Sequence, residues 1–253
     1  MEERIEAQEQ KIEGRNAVIE ALRSGKTIDK LYVLDHCMDG PIRTIVREAK
    51  KHDLILNFVT KERLDQLSET GKHQGAIAIA AAYSYATVED LLEAAREKEE
   101  APFFILLDGI EDPHNLGAII RTANLCGAHG VIIPKHRAVG ITPTVARTSA
   151  GAVAYTPVAK VTNLVNTIEQ LKESGMWFVC ADMGGTTMYD LNLTGPIGLV
   201  IGKEGEGVSR LVKEHCDMVA AIPMKGDIDS LNASVATGVM AYEIVRQRMG
   251  KTK

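Results

Sequence analysis

Five apolar runs punctuate the second part of this 253-residue chain: Phe103–Leu107, Val131–Ile133, Trp177–Ala181, Ile197–Ile201 and Met218–Ile222. Each is nearly continuous rather than alternating, so each strand would be apolar on both faces. A parallel sheet covered by helices on both sides buries such strands. Helical patterns fill the gaps, at Leu116–Cys126, Pro143–Ala150, Leu164–Ser174, Val208–His215 and Leu231–Arg248. The expectation is a doubly wound α/β domain of roughly 150 residues.

The first third is patterned differently. Helical segments at Asn16–Arg23, Ile42–Lys51 and Lys61–Ser68 alternate with strands at Ile28–Leu34, Leu54–Thr60 and Ala76–Ala82. They predict a small α/β unit over residues 14–84, near the lower size limit for independent folding. Residues 1–13 are polar with no apolar stripe and are expected as a flexible tail. Thr87, with Asp90 three positions on, is a good N-cap for a helix. Residues 85–101 are therefore expected as a linker helix leading into a domain over 102–253.

Charge at first speaks against a polyanionic partner. There are 29 basic and 34 acidic residues, a net charge of −5, whereas phosphate binding needs a positive field. The acidity is local, however: residues 1–13 carry −3 and 87–100 carry −4, while 14–84 carry +2 and 101–253 are balanced. Net charge therefore does not exclude RNA. The four cysteines, Cys37, Cys126, Cys180 and Cys216, show no paired spacing, and the seven histidines no HExxH grouping. Free thiols are expected, with neither a metal nor a disulfide framework. The acidic N-terminus lacks signal-peptide order and no apolar run reaches membrane-spanning length, so a cytoplasmic protein is expected.

Ligands in open α/β sheets bind beyond the carboxyl ends of strands. Three such ends carry glycine-rich, polar loops: Asp108–Gly117, Gly202–Gly207 and Ile222–Asn232. Gly202, Gly205 and Gly207 give GxxGxG, which is not the dinucleotide spacing, and no GxxxxGK[ST] is present. One such loop alone would read as a tight turn. Three on one sheet indicate a site.

These loops carry NLGAIIR (Asn115–Arg121), IGKEGEGVS (Ile201–Ser209) and IPMKGDIDSLNASVA (Ile222–Ala236), which resemble the three motifs of the SpoU/TrmH family of RNA ribose 2′-O-methyltransferases. The motifs stand in the family's order. The resemblance implies a trefoil-knotted, mainly parallel sheet with helices on both faces. GRNAVIEAL (Gly14–Leu22) and KHQGAIAIA (Lys72–Ala80) resemble the L30e-like RNA-binding domain of one branch, which methylates a guanosine of 23S rRNA. The implied partners are S-adenosylmethionine, structured 23S rRNA and a second copy of the chain. A tRNA substrate is the first alternative. A catalytically silent RNA-binding or ribosome-assembly protein is the other, and the presence of every motif residue argues against it.

By the same resemblance Ile201, Gly202, Gly207, Ile222, Met224 and Leu231 line the methyl-donor pocket, the glycines admitting close approach of main chain to adenosine. Arg121 is the implied catalytic residue. Its guanidinium, five donors in a fixed fork, suits orienting a phosphate and stabilising alkoxide character better than removing a proton. Asn232 would hydrogen-bond the ribose or fix the arginine, and Glu204 would orient Arg121 or Asn232, or else be a solvated loop carboxylate. Asn115 reads equally as helix cap and site residue, and Ser230 as cap, ligand contact or both. Val235, Val239, Tyr242 and Val245 form a stripe that packs either in the core or in a homodimer. Arg15, Asn16, Lys72, His73 and Gln74 are candidate RNA contacts, with a polar turn as the plainer reading of 72–74.

Overall fold

The computed structural model describes residues 10–24, 28–52, 54–80, 83–227 and 230–250. Contacts divide the chain into two compact units, Met1–Ser84 with Ile141–Pro143, and Tyr85–Gly140 with Thr144–Lys253.

The first unit runs β1 (Gln10–Glu13), α1 (Arg15–Arg23), β2 (Ile28–Leu34), α2 (Gly40–Lys51), β3 (Leu56–Val59), α3 (Lys61–Leu67) and β4 (Ala76–Ala80). Its sheet has the order β1-β4-β2-β3. β4 is antiparallel to both β1 and β2, while β3 lies parallel to β2. Val18 and Leu22 of α1 and Ile42 and Ile45 of α2 bury against Leu31, Val33, Ala76 and Ala78.

Residues 10–13, expected in the tail, are instead the strand β1; residues 1–9 lie outside the described residues. Two contacts hold β1. Ile12 packs against the core. Glu13 accepts hydrogen bonds from the Ser68 hydroxyl at 2.6 Å, the Glu69 and Thr70 amides at 2.6 and 3.4 Å, and the Thr70 hydroxyl. Burial pushes the Glu13 carboxyl up, but these donors together outweigh it and lower it to about 2.

The second unit runs α4 (Val88–Glu97), β5 (Phe103–Asp108), α5 (Pro113–Leu125), β6 (Gly130–Pro134), α6 (Pro143–Thr148), β7 (Val158–Val161), α7 (Leu164–Glu173), β8 (Trp177–Thr187), β9 (Ile197–Gly202), α8 (Arg210–Glu214), β10 (Met218–Ala221) and α9 (Ala233–Met249). Six parallel strands form one sheet in the order β10-β8-β9-β5-β6-β7. Every residue of β9 is buried, as is all of β5 except its last, which is what their two-sided apolar runs require. Phe104, Leu106, Ile132, Phe178 and Val200 face Leu91, Ile168 and Val212 of α4, α7 and α8. Helices α5 and α9 pack against each other, with α9 also against β9 and α5 against β6. The α/β reading with a mainly parallel sheet holds.

Two expectations change. The helix at 85–101 is not a linker: it is α4, part of the second unit, with Leu91 fully buried in that unit's core. Gly130 makes room for it, since a Cβ there would fall 2.4 Å from Leu91 Cγ. Burying that leucine is worth about 2–3 kcal/mol over leaving it exposed. The expected cap is present as a capping box, Thr87 N–H donating to Asp90 at 2.7 Å and Asp90 N–H to Thr87 at 3.1 Å. The other change is β7, an edge strand of four residues, VAKV, that was not expected. All four cysteines are free, and no helix among the described residues is long and apolar enough to cross a membrane.

Candidate active site

The middle of β8 and the carboxyl ends of β9 and β10 surround a cavity of about 230 Å³. Ile201, Gly202, Gly207, Ile222, Met224 and Leu231, expected in the donor pocket, all line it, as do Glu204 and Ser230. Met224 and Leu231 are 39% and 36% exposed there, apolar side chains open to whatever enters. Residues 228 and 229 of the third motif lie outside the described residues. The middle of β8, where its register with β10 shifts, adds Ala181, Asp182 and Met183, which the motif reading missed. Asp182 is held by Lys213 of α8 at 2.9 Å. The rule that sites gather at strand ends would have found it, since Asp182 directly follows the apolar run Trp177–Ala181.

The glycines of the second loop act on the loop itself. A Cβ on Gly202 would lie 2.0 Å from the Gly207 carbonyl carbon and 2.2 Å from the Val208 nitrogen. Lys203 and Gly207 exchange two backbone hydrogen bonds, of 3.1 and 2.8 Å, closing the turn. Gly205 and Gly207 sit at φ of 77° and 71°, the left-handed region in which glycine carries no Cβ penalty. Close approach of main chain to main chain is therefore one thing that Gly202 provides.

The three motif loops are joined by their polar side chains. One oxygen of Glu204 accepts from Asn115 Nδ2 at 3.1 Å, from the Ala233 amide at 3.3 Å and from Asn232 Nδ2. Asn232 also donates to Asn115 Oδ1 at 2.9 Å. Its own oxygen caps α9, accepting from the Ser234 and Val235 amides at 2.9 and 3.3 Å. Both amide protons and the oxygen of Asn232 are thus engaged. In this arrangement it is a latch, with nothing left for a ribose or for Arg121.

The caps fall elsewhere than expected. Asp112 caps α5, accepting from the His114 amide at 3.0 Å, which leaves Asn115 buried and free to join the latch. Ser230 does not cap α9, because Asn232 holds that position; Ser230 is exposed at the cavity. Asp108, at the end of β5, accepts from the Ser209 amide at 2.8 Å and ties the first loop to the start of α8.

Arg121 stands apart. It is exposed on α5 and has no hydrogen bond or ion pair among the described residues. Six residues beyond Asn115, it is turned by about 240° and raised about 9 Å along the helix. Glu204 orients Asn232, as one reading expected, and does not touch Arg121. The stripe on α9 is divided, with Val239 and Val245 half-buried. Val235 and Tyr242 are about half exposed and Met249 is 72% exposed, as is Leu125 at the end of α5 at 63%.

In the first unit the candidate RNA contacts divide into two groups. Arg15 is consumed by the fold: it donates to the Gln74 carbonyl at 2.7 Å and pairs with Asp39 at 2.8 Å. His73 is 6% exposed, bonded to Asp65 at 2.9 Å, and its Nδ1 accepts from the Gly75 amide at 3.0 Å. These two lock the turn at 72–75 against the start of α1. Asn16, Lys72 and Gln74 are exposed around it.

Comparison with known proteins adds to this geometry. The model of the SpoU rRNA Methylase family matches residues 102–242, and that of RNA 2′-O ribose methyltransferase substrate binding matches residues 11–86. A Bacillus subtilis protein named for the TrmH family of tRNA/rRNA methyltransferases, YacO, is 49% identical over 237 residues, covering 93% of this chain and 94% of its own. The crystal structure of the SpoU methyltransferase AviRb from Streptomyces viridochromogenes, in complex with AdoMet, aligns with a TM-score of 0.60 at 25% identity. That alignment covers 98% of this chain and 93% of AviRb. An AdoMet-bound rRNA methyltransferase from Sinorhizobium meliloti aligns with a TM-score of 0.57 at 25% identity, over 96% of this chain and 89% of that one.

Proposed function

The chain belongs to the SpoU rRNA methylase family, and from that premise we propose that it methylates the ribose 2′-hydroxyl of a guanosine in 23S rRNA, with S-adenosylmethionine as donor. The observation that carries this reading is the single cavity onto which the second and third motif loops converge, latched to the first through Asn115, Glu204 and Asn232. Its apolar floor and backbone-rich rim fit an adenosyl group, and Met224 and Leu231 offer it exposed apolar surface. Bound there, S-adenosylmethionine supplies an electrophilic methyl on a sulfonium, whose departure leaves a neutral thioether.

The chain's own residues then do three things. Ile201, Ile222, Met224 and Leu231 hold the donor away from water, and the Gly202–Gly207 turn shapes the wall beside it. Glu204, through Asn115 and Asn232, holds the three loops in one register, so that positioning rather than proton chemistry is its contribution. Arg121, with its planar fork of donors, binds anionic groups and stabilises oxyanion character at the 2′-oxygen.

Arg121 is remote from the Asn115–Glu204–Asn232 latch of its own chain. The exposed apolar residues of α9 and the end of α5 fit an interface with a second copy, through which each site takes Arg121 from the partner. The first unit supports ribosomal RNA as acceptor, because an L30e-like module precedes the catalytic domain in the rRNA branch. The name of the B. subtilis relative spans both tRNA and rRNA. Mapping ribose methylation in cells with and without the gene decides between them. The expected result is one guanosine of 23S rRNA losing its 2′-O-methyl group. Loss of a tRNA mark, with 23S rRNA unchanged, replaces the acceptor.

A further inference from the structure

Beside the donor cavity lies a second, larger cleft of about 460 Å³, opening at the carboxyl ends of β5, β6, β7 and β9. The two share a wall, formed by Lys203, Glu206 and Gly207. We propose that this cleft carries the RNA strand flanking the methylated ribose; the inference rests on the reading of the chain as an RNA methyltransferase.

Residues 101–253 are balanced in charge, and so is the cleft, where Arg137, Lys203 and Arg210 stand beside Asp108, Glu111 and Glu206; what marks it is how weakly its cations are held. The cleft brings together His136 and Arg137 from the loop after β6, Lys203 after β9 and Arg210 at the start of α8. His136 and Arg137 are exposed and have no partner among the described residues. Arg137 sits at φ 55°, a left-handed conformation that few non-glycine residues adopt. Arg210 is paired only with Glu214, at 3.6 Å and 88% exposed, and Lys203 only with Glu206, at 3.2 Å. Exposed pairs of this kind are worth a few tenths of a kcal/mol, and a phosphate can exchange for either carboxylate at little cost.

The acids of the cleft are Asp108, Glu111 and Glu206. Asp108 is occupied by the Ser209 amide and Glu206 by Lys203. Thr162 and Ser209 add polar groups to the wall, and Leu211, 56% exposed, adds an apolar surface against which a base can rest. The spread of the cations suits a run of phosphates. Lys203 and Arg137 follow strands two apart in the sheet, β9 and β6 with β5 between them. That separation is about 10 Å between main chains, over which successive phosphates of a strand can be spaced. A run of phosphates meets both at once, and the shared wall places the run next to the methyl donor.

The test is double charge reversal, Arg137→Glu with Arg210→Glu, in the full chain. The probe is 23S rRNA isolated from cells lacking the gene. Direct RNA binding is expected to weaken about tenfold, and the slope of log affinity against log salt to fall by about 1. Both substitutions lie on exposed side chains, and an unchanged melting temperature confirms the fold. S-adenosylmethionine affinity is expected to stay within twofold. RNA affinity and salt slope equal to wild type would overturn the cleft as the strand's site. Competition of the bound RNA by 5′-AMP, lost in the variant, would overturn it too, assigning the cleft to a free nucleotide. Weakened RNA binding alongside a wild type that methylates no RNA would sustain the cleft and contradict the methyltransferase reading, so the two failures are separable.

Discussion

Arg121→Ala is expected to lower methyl transfer by about 10²–10³-fold or more, the loss typical of removing one donor to a developing oxyanion. S-adenosylmethionine binding should change by less than twofold, because Arg121 lies outside the donor cavity. Arg121→Lys should recover little, since an ammonium lacks the planar fork that meets phosphate with two hydrogen bonds. Single-turnover methyl transfer and calorimetric donor binding measure the two effects separately. An Arg121→Ala enzyme within tenfold of wild type would remove the arginine from the reaction.

Gly202→Val is the second large effect, and it acts on the donor side. Its Cβ would meet the Gly207 and Val208 main chain at 2.0–2.2 Å, where no flexible side chain can yield. The turn must open, breaking the two Lys203–Gly207 bonds and the wall of the cavity. Donor affinity is expected to fall at least a hundredfold, with a stability loss of several kcal/mol. Gly205→Ala is the control. Nothing lies within 4 Å of that position, so only the positive φ is strained, at a cost of about 1 kcal/mol. Undiminished donor binding by a folded Gly202→Val variant would show that the turn is not part of the pocket.

The two variants together test whether sites are shared between chains. If the chain dimerises as proposed, co-expressed Arg121→Ala and Gly202→Val chains form mixed dimers. If each site draws its arginine from one protomer and its donor pocket from the other, one site per mixed dimer is intact and activity returns. If both come from the same chain, no mixed dimer is active.

What could be read from the sequence follows physical rules. The central strands were legible because burial on both faces leaves a continuous apolar run, as in Phe103–Leu107 and Ile197–Ile201. β1 and β7 were not, because QKIE and VAKV are four-residue edge strands whose charged residues interrupt the apolar run. Pairing of β1 depends on β4, more than sixty residues away. Helix α4 was legible as a helix, cap included, but an amphipathic segment does not say which neighbour it packs against.

The site divides in the same way. Its three loops showed as glycine-rich strand ends, and the residues that the resemblance assigned to the donor all line one cavity. The use made of Asn115 and Asn232 did not show, since they are 117 residues apart and each satisfies the other. Their side chains read as free to meet a substrate until the fold brings them together. Arg15 and His73 repeat the lesson in the first unit, where polar residues of RNA-binding type turn out to lock a turn.

The most direct test of ribose methylation is to incubate the purified protein with methyl-labelled S-adenosylmethionine and 23S rRNA from cells lacking the gene, then digest the RNA to nucleosides. Label is expected in 2′-O-methylguanosine at one site per molecule, appearing at least about a hundredfold more slowly when Arg121→Ala replaces the wild type. Label on a base nitrogen or carbon, or no transfer to RNA at saturating donor, would contradict ribose methylation.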